Sequence, residues 1–270
     1  MELVTFEGVR KVYPDLKTAR FTSLRPAPRA ERRVIVGVRG LTFTLNAGEG
    51  VAILGEPSSG RTTVLHLMSG VLRPDDGTVR IRGRATGLIA AGAGLTSDFT
   101  VRENAVFGSV LLGMKHPDAV ALADEIVEYS QLSEDADRFL RELNSAARRR
   151  LGYAIALYSN PTVFLADEEV TPANPLMRAG ALERLASYPG PQRALVVASN
   201  NVKLVSELCH RALVLRRGVL VFDGPLDEGL KRFHKLQQRS KKKGTPKRSN
   251  DRTDRDDRDD RDDRDDEEFL

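Results

Sequence analysis

The stretch Gly55-Glu-Pro-Ser-Ser-Gly-Arg-Thr-Thr63 decides how this chain is read. It follows the pattern Gly-x4-Gly-Lys-[Ser/Thr] of a phosphate-binding loop, with Arg61 in the lysine position. Upstream, Val51-Ala-Ile-Leu54 is a short apolar run suited to a buried parallel strand. Downstream, Val64, Leu65, Met68 and Val71 recur at helical spacing. A strand, a Gly-rich turn and a helix start aim several backbone N–H groups and the positive helix end at one point, a geometry that holds a polyphosphate. Gly55 and Gly60 permit the tight turn, and Glu56, Pro57, Ser58, Ser59, Arg61, Thr62 and Thr63 complete the candidate binding loop. Thr62 is placed to offer its hydroxyl to Mg²⁺ between two phosphates.

Such a site needs an acid at the end of a neighbouring buried strand. Thr162-Val-Phe-Leu-Ala166 is an apolar run that ends in Asp167-Glu168-Glu169. Asp167 is the candidate Mg²⁺-site acid, and Glu168 stands where a carboxylate can polarise an attacking water. Acids at strand ends are common in any α/β protein, so it is the pairing of this strand with the loop that carries weight.

The rest of the chain fits an α/β plan. Strand-like runs at Leu3–Phe6, Val34–Val36, Leu41–Leu45 and Thr78–Ile81 predict an antiparallel β portion near the N-terminus. Helical patterns follow at Val101–Leu112, Ala119–Tyr129 and Ala146–Tyr158, then at 176–187. Ala194–Ala198 reads as another buried strand, and Ala212–Leu215 with Val219–Phe222 as a closing hairpin. Residues 14–33, basic and broken by prolines, read as an inserted loop or a short surface helix.

Composition narrows the function classes. No run approaches the ~18 apolar residues of a membrane span, and the first residues lack a secretory pattern. A single cysteine, Cys209, excludes an internal disulfide framework, and no Cys/His cluster has zinc spacing. The net charge of +4 is unevenly spread: Lys231–Asn250 holds nine basic residues and no acid, while Asp251–Leu270 holds twelve acids and five arginines. The folded part is therefore near neutral, and nucleic acid is not an expected partner. From Gln237 the chain is poor in apolar residues and predicts disorder. The expected division is a nucleotide-binding domain over 1–235, with a helical subdomain at about 95–160, and a disordered tail over 236–270.

The chain resembles the ATP-binding subunits of ABC transporters, in the branch that exports cell-surface polysaccharides, teichoic acids and galactan. Leu67-Met-Ser-Gly-Val-Leu-Arg-Pro-Asp-Asp-Gly-Thr-Val79 is similar to the family's stretch after the phosphate loop. Gly92-Ala-Gly-Leu-Thr-Ser-Asp-Phe-Thr-Val-Arg-Glu-Asn104, with Leu111-Leu-Gly-Met114, resembles the export branch in particular. Leu208–Leu215 and Gly218 to Pro225 match the C-terminal end, so the resemblance covers about residues 2–235.

It implies a P-loop fold of mixed sheet core, antiparallel β portion and helical subdomain, with ATP and Mg²⁺ as ligands. It implies that Tyr13 stacks on adenine, that Asp167 and Glu168 are the metal-site acid and catalytic glutamate, and that Ser145 and Ala146 belong to the signature motif facing a second subunit's nucleotide. Its partners would be an integral-membrane permease and a like or related ATP-binding subunit, at the cytoplasmic face of the membrane. The basic segment from Lys231 is a candidate membrane contact.

The departures from the family pattern are as informative. Arginine replaces the loop lysine at Arg61, alanine the signature glycine at Ala146, asparagine an aspartate at Asn174, and asparagine the switch histidine at Asn200. Arginine is longer, planar and forked, and does not substitute conservatively for lysine. Two readings follow: an export ATPase with reduced turnover, or a hydrolysis-poor nucleotide-sensing subunit paired with a complete homologue.

Overall fold

The computed structural model describes residues 1–14, 34–168 and 171–243. The insertion expected at 14–33, apart from Pro14, and the tail beyond residue 243 lie outside them.

Strand β3 (Gly50–Gly55) is buried along its whole length and lies inside a six-stranded sheet of order β5-β6-β7-β3-β8-β9. Its parallel neighbours are β7 (Ala194–Ala198) and β8 (Arg211–Arg216), and β6 (Val163–Ala166) pairs with β7 and β5 (Ala85–Gly87). β9 (Val219–Pro225) closes the edge antiparallel to β8, as the hairpin pattern predicts. Side chains alternate across β3: Ala52 and Leu54 enter one apolar core with the helices, while Val51 and Ile53 enter a second.

That second core is shared with a three-stranded antiparallel sheet of β1 (Glu2–Pro14), β2 (Val34–Asn46) and β4 (Asp76–Ile81), in the order β2-β1-β4. Phe6 and Phe43 stack there at 4.6 Å. The two runs expected at 34–36 and 41–45 are one strand, which Gly37 and Gly40 had masked by contributing no apolar side chain.

Helix α1 (Arg61–Met68) leaves the end of the phosphate loop. It stops at Met68, so Val71 falls beyond it and is 71% exposed, contrary to its helical spacing. Helices α2 (Val101–Leu111), α3 (His116–Tyr129) and α4 (Ser145–Tyr158) pack together within the stretch expected to be helical. A capping box, Thr100 with Glu103, starts α2. Arg84 gathers the backbone carbonyls of Leu112, Ser159 and Asn160, holding the C-terminal ends of α2 and α4 at the start of β5.

Helix α5 (Pro175–Ala186) precedes β7 and α6 (Val202–Leu208) follows it. Helix α7 (Leu226–Lys243) docks through Leu226, Leu230 and Phe233. It runs on past Gln237, where composition alone predicted disorder, because its N-terminal half supplies the apolar anchors for a helix whose later turns are polar. Among the described residues no helix is long and apolar enough to cross a membrane.

Candidate functional site: the phosphate loop and its cavity

Apolar burial of β3 and β6, which flank β7 in parallel, sets their C-terminal ends at the same edge of the sheet. The loop and Asp167-Glu168 thereby meet at one edge, around a cavity of about 530 Å³ lined by Pro57, Arg61, Thr62, His66, Leu88, Ile89, Asp167 and Glu168. Two residues that begin α1 and the acids that end β6 thus line one space, as the loop-plus-strand pattern requires.

The loop is tightly built. Gly60 caps α1 with φ 105°, and a Cβ there would lie 2.4 Å from the Gly37 carbonyl, so only glycine fits. Ser58 adopts φ 62°, a left-handed conformation that costs a serine energy. The Ser59 N–H donates to the Glu56 carbonyl at 3.0 Å. Gly218, in the β8–β9 turn, donates its N–H to the Ser59 carbonyl at 2.8 Å and accepts from the Arg39 N–H of β2 at 2.7 Å. The loop is therefore joined through backbone hydrogen bonds to both sheets.

Thr62 Oγ1 donates to Asp167 Oδ2 at 3.2 Å. Two oxygens on one edge of an octahedral Mg²⁺ shell stand about 3.0 Å apart for bonds of ~2.1 Å, so this pair fits the ion. No group of three or more His, Cys, Asp or Glu is poised for a metal among the described residues. Thr62 and Asp167 would hold Mg²⁺ together with phosphate and water oxygens, the manner in which that ion is usually bound. Once held there, it would neutralise charge on the terminal phosphates.

Arg61 turns inward. Its side chain is only 9% exposed, and its Nη2 donates to Glu168 Oε1 in a close ion pair, while the Glu168 side chain is 65% exposed. Arg61 Nη1 and Ser59 Oγ are buried and have no hydrogen-bond partner among the described residues. Unpartnered buried donors are costly, and an anion in the loop is the natural acceptor for them. The residues present therefore fit a bound polyphosphate. The Glu168 N–H donates to Asp167 Oδ1 at 2.9 Å, which fixes the two acids relative to each other.

Asn200, at the end of β7, commits its amide to the loop's first residue. Its Nδ2 donates to the Gly55 carbonyl at 2.8 Å, and its Oδ1 accepts from the Gly55 N–H at 3.2 Å. It does not line the cavity. Both polar atoms of the side chain at the switch position are thus spent on backbone.

Tyr13 lies near the end of β1, its hydroxyl 3.2 Å from Thr63 Oγ1 and its ring against Gly37. Its position is held by Asp75, which accepts from the Val12 N–H at 2.7 Å and pairs with Lys11 at 3.0 Å. The Val12 hydrogen bond, with Lys11 beside it, holds the Asp75 carboxyl below its usual range. Tyr13 thus touches the loop through Thr63, and neither residue lines the cavity.

Ser145 and Ala146 are not part of the cavity. They lie exposed at the first turn of α4, where Asn144 caps the helix by accepting from the Ala147 N–H. Asn174 is likewise a helix cap, accepting from the Leu176 N–H at the start of α5. Of the three arginines after the signature position, Arg150 donates to the Ser130 carbonyl and Arg148 reaches Ser97.

Sequence reasoning did not single out His66, Leu88 and Ile89, which also line the cavity. For His66 a signal existed, since it stands one helical turn after Thr62 on the same face of α1. Leu88 and Ile89 occupy a 3₁₀ turn directly after β5, a three-residue strand with too little apolar pattern to be read.

A family model described as "ABC transporter" matches residues 38–171. The chain is 26% identical over 218 residues to the O-antigen export system ATP-binding protein RfbB of Klebsiella pneumoniae, covering 78% of this chain and 89% of that one. It is 26% identical over 197 residues to the teichoic acids export ATP-binding protein TagH of Levilactobacillus brevis, covering 73% and 54%. It is 32% identical over 198 residues to the Nod factor export ATP-binding protein I of Burkholderia lata, covering 69% and 65%. The chain thus spans from about half to nine tenths of these relatives' length. Among solved structures, a dimeric ATP-binding cassette in a post-hydrolysis state, bound to ADP and Pi, is similar in fold: TM-score 0.63 at 18% identity, covering 83% of this chain and 99% of that one.

Proposed function

From a chain that carries an ABC transporter domain over residues 38–171, we propose an ATP-binding subunit that couples nucleotide binding and hydrolysis to export of a cell-surface polysaccharide or teichoic-acid-like polymer. Its relatives are named for O-antigen, teichoic acid and Nod factor export, which supports glycan-bearing cargo. The polymer would cross through a separate integral-membrane permease. Two cassettes, like or related, would enclose ATP between one phosphate loop and the other subunit's Ser145 and Ala146. The subunit would act at the cytoplasmic face of the membrane, where the basic residues from Lys231 onward would supply a peripheral contact.

The observation that carries the reading is the meeting of the loop, Thr62 and Asp167 at one cavity. In hydrolysis a water oxygen attacks the terminal phosphorus, the bond to the ADP oxygen breaks, and a carboxylate accepts the water's proton. Glu168 is the residue for that last role. Its pairing with Arg61, and the commitment of Asn200 to Gly55, support a second reading in which hydrolysis is slow and the chain acts mainly as a nucleotide-sensing partner.

Steady-state ATPase of the purified chain tests both. Turnover abolished by Glu168→Gln and raised by Arg61→Lys supports the export ATPase. A loss of ~2.7 kcal/mol of transition-state stabilisation at a misplaced guanidinium corresponds to about a hundredfold in rate, which sets the scale expected for Arg61→Lys. No turnover alone, with activity on adding a complete homologue, supports the sensing subunit. No nucleotide binding at all would overturn both.

A further inference from the structure

Arg61 presents two guanidinium arms with different fates. One holds Glu168; the other, Nη1, is buried, without a partner among the described residues, and belongs to a side chain that lines the cavity. Arg61 itself has little freedom to move, being 9% exposed, whereas Glu168 is 65% exposed and can swing into water. Among the described residues that line the cavity, Arg61 is the one arginine or lysine.

We propose that Glu168 and the terminal phosphate of a bound nucleotide compete for Arg61, so that the carboxylate is a tethered anion which a nucleotide must displace. This rests on the nucleotide-binding reading above and deepens it. A forked guanidinium prefers two parallel bonds to one anion over one bond to each of two. A phosphate with access to Nη1 therefore draws Nη2 to itself as well, and the exposed carboxylate yields because water can take over its charge. Glu168 is then free beside the phosphate only after the nucleotide has seated. With lysine in the loop there is no fork to share, and the carboxylate exerts no such brake. Arg61 acts here as a positioning residue whose partner reports occupancy.

The test is a double-substitution cycle read by binding rather than turnover. The affinity of a non-hydrolysable ATP analogue is measured by calorimetry for the full chain, E168Q, R61K and R61K/E168Q. Competition predicts that E168Q tightens binding about fivefold when Arg61 is present, the scale of an ion pair with one exposed partner. In the R61K background the same change should alter affinity by less than twofold. Equal effects in both backgrounds, or weaker binding by E168Q, would overturn the inference while leaving nucleotide binding intact. Absence of binding by all four proteins would overturn the nucleotide reading and this inference with it. Unfolding midpoints of the four proteins, compared without nucleotide, separate misfolding from lost competition: variants that melt cooperatively near the parent temperature and still show equal effects count against it.

Discussion

Ser58 holds a left-handed backbone at φ 62° inside the loop, where glycine would carry no steric penalty. The conformation costs a non-glycine residue ~1–2 kcal/mol, and the extra chain entropy of glycine returns about half of that. Ser58→Gly should therefore raise unfolding free energy by about 0.5 kcal/mol in a denaturant titration; a loss of stability would contradict the strain. At this scale the identities of Arg61, Thr62, Asp167 and Glu168 were legible, because each occupies a defined place in a local motif. Their pairings were not. Arg61 and Glu168 are 107 residues apart, Gly55 and Asn200 145 apart, and nothing in either segment alone specifies which polar atoms will meet. Asn174 and Asn200 look alike as losses of a functional side chain. In the structure one caps a helix and the other braces the loop.

Among the elements, Arg84 ties two helices together, since one guanidinium serves the carbonyl ends of both α2 and α4. Charge-assisted hydrogen bonds to carbonyls with no intrahelical partner are each worth more than a neutral one. Arg84→Ala should cost about 2 kcal/mol, lowering the melting temperature by ~4–8 °C for a domain of this size. Arg84→Lys, which keeps the charge and loses the fork, should fall between. Equal midpoints for Arg84→Ala and the parent chain would refute the role. The buried strands β3, β6 and β7 were legible as apolar runs, since burial on both faces removes the need for polar alternation. β5 escaped notice because Ala-Thr-Gly carries no such run, and its place is set by pairing to β6. α7 was hidden by charge: its anchors Leu226, Leu230 and Phe233 precede a stretch dominated by Lys, Arg and Gln.

For the whole molecule, Ser145 and Ala146 are exposed on α4 and absent from the cavity lining, so the phosphate loop and the signature position lie on two separate surfaces of one chain. If assembly encloses ATP between them, Ser145→Ala should weaken self-association in the presence of a non-hydrolysable ATP analogue, read by light scattering. Nucleotide affinity of the isolated chain should stay unchanged. Association that is insensitive to Ser145 would place the dimer contact elsewhere. The sequence disclosed the overall architecture because the two sheets have different patterns, long alternating strands in one and short apolar runs in the other.

The Gly218 turn carries the loop's state outward. Its N–H rests on the Ser59 carbonyl, and its own carbonyl takes the Arg39 N–H of the antiparallel sheet. Any settling of the loop around an anion must lengthen, shorten or tilt that pair of bonds. The Gly218 amide proton is thus a resident spectroscopic probe: its NMR frequency and its rate of exchange with deuterium should register occupancy from outside the cavity, with no label attached to any residue that touches the nucleotide.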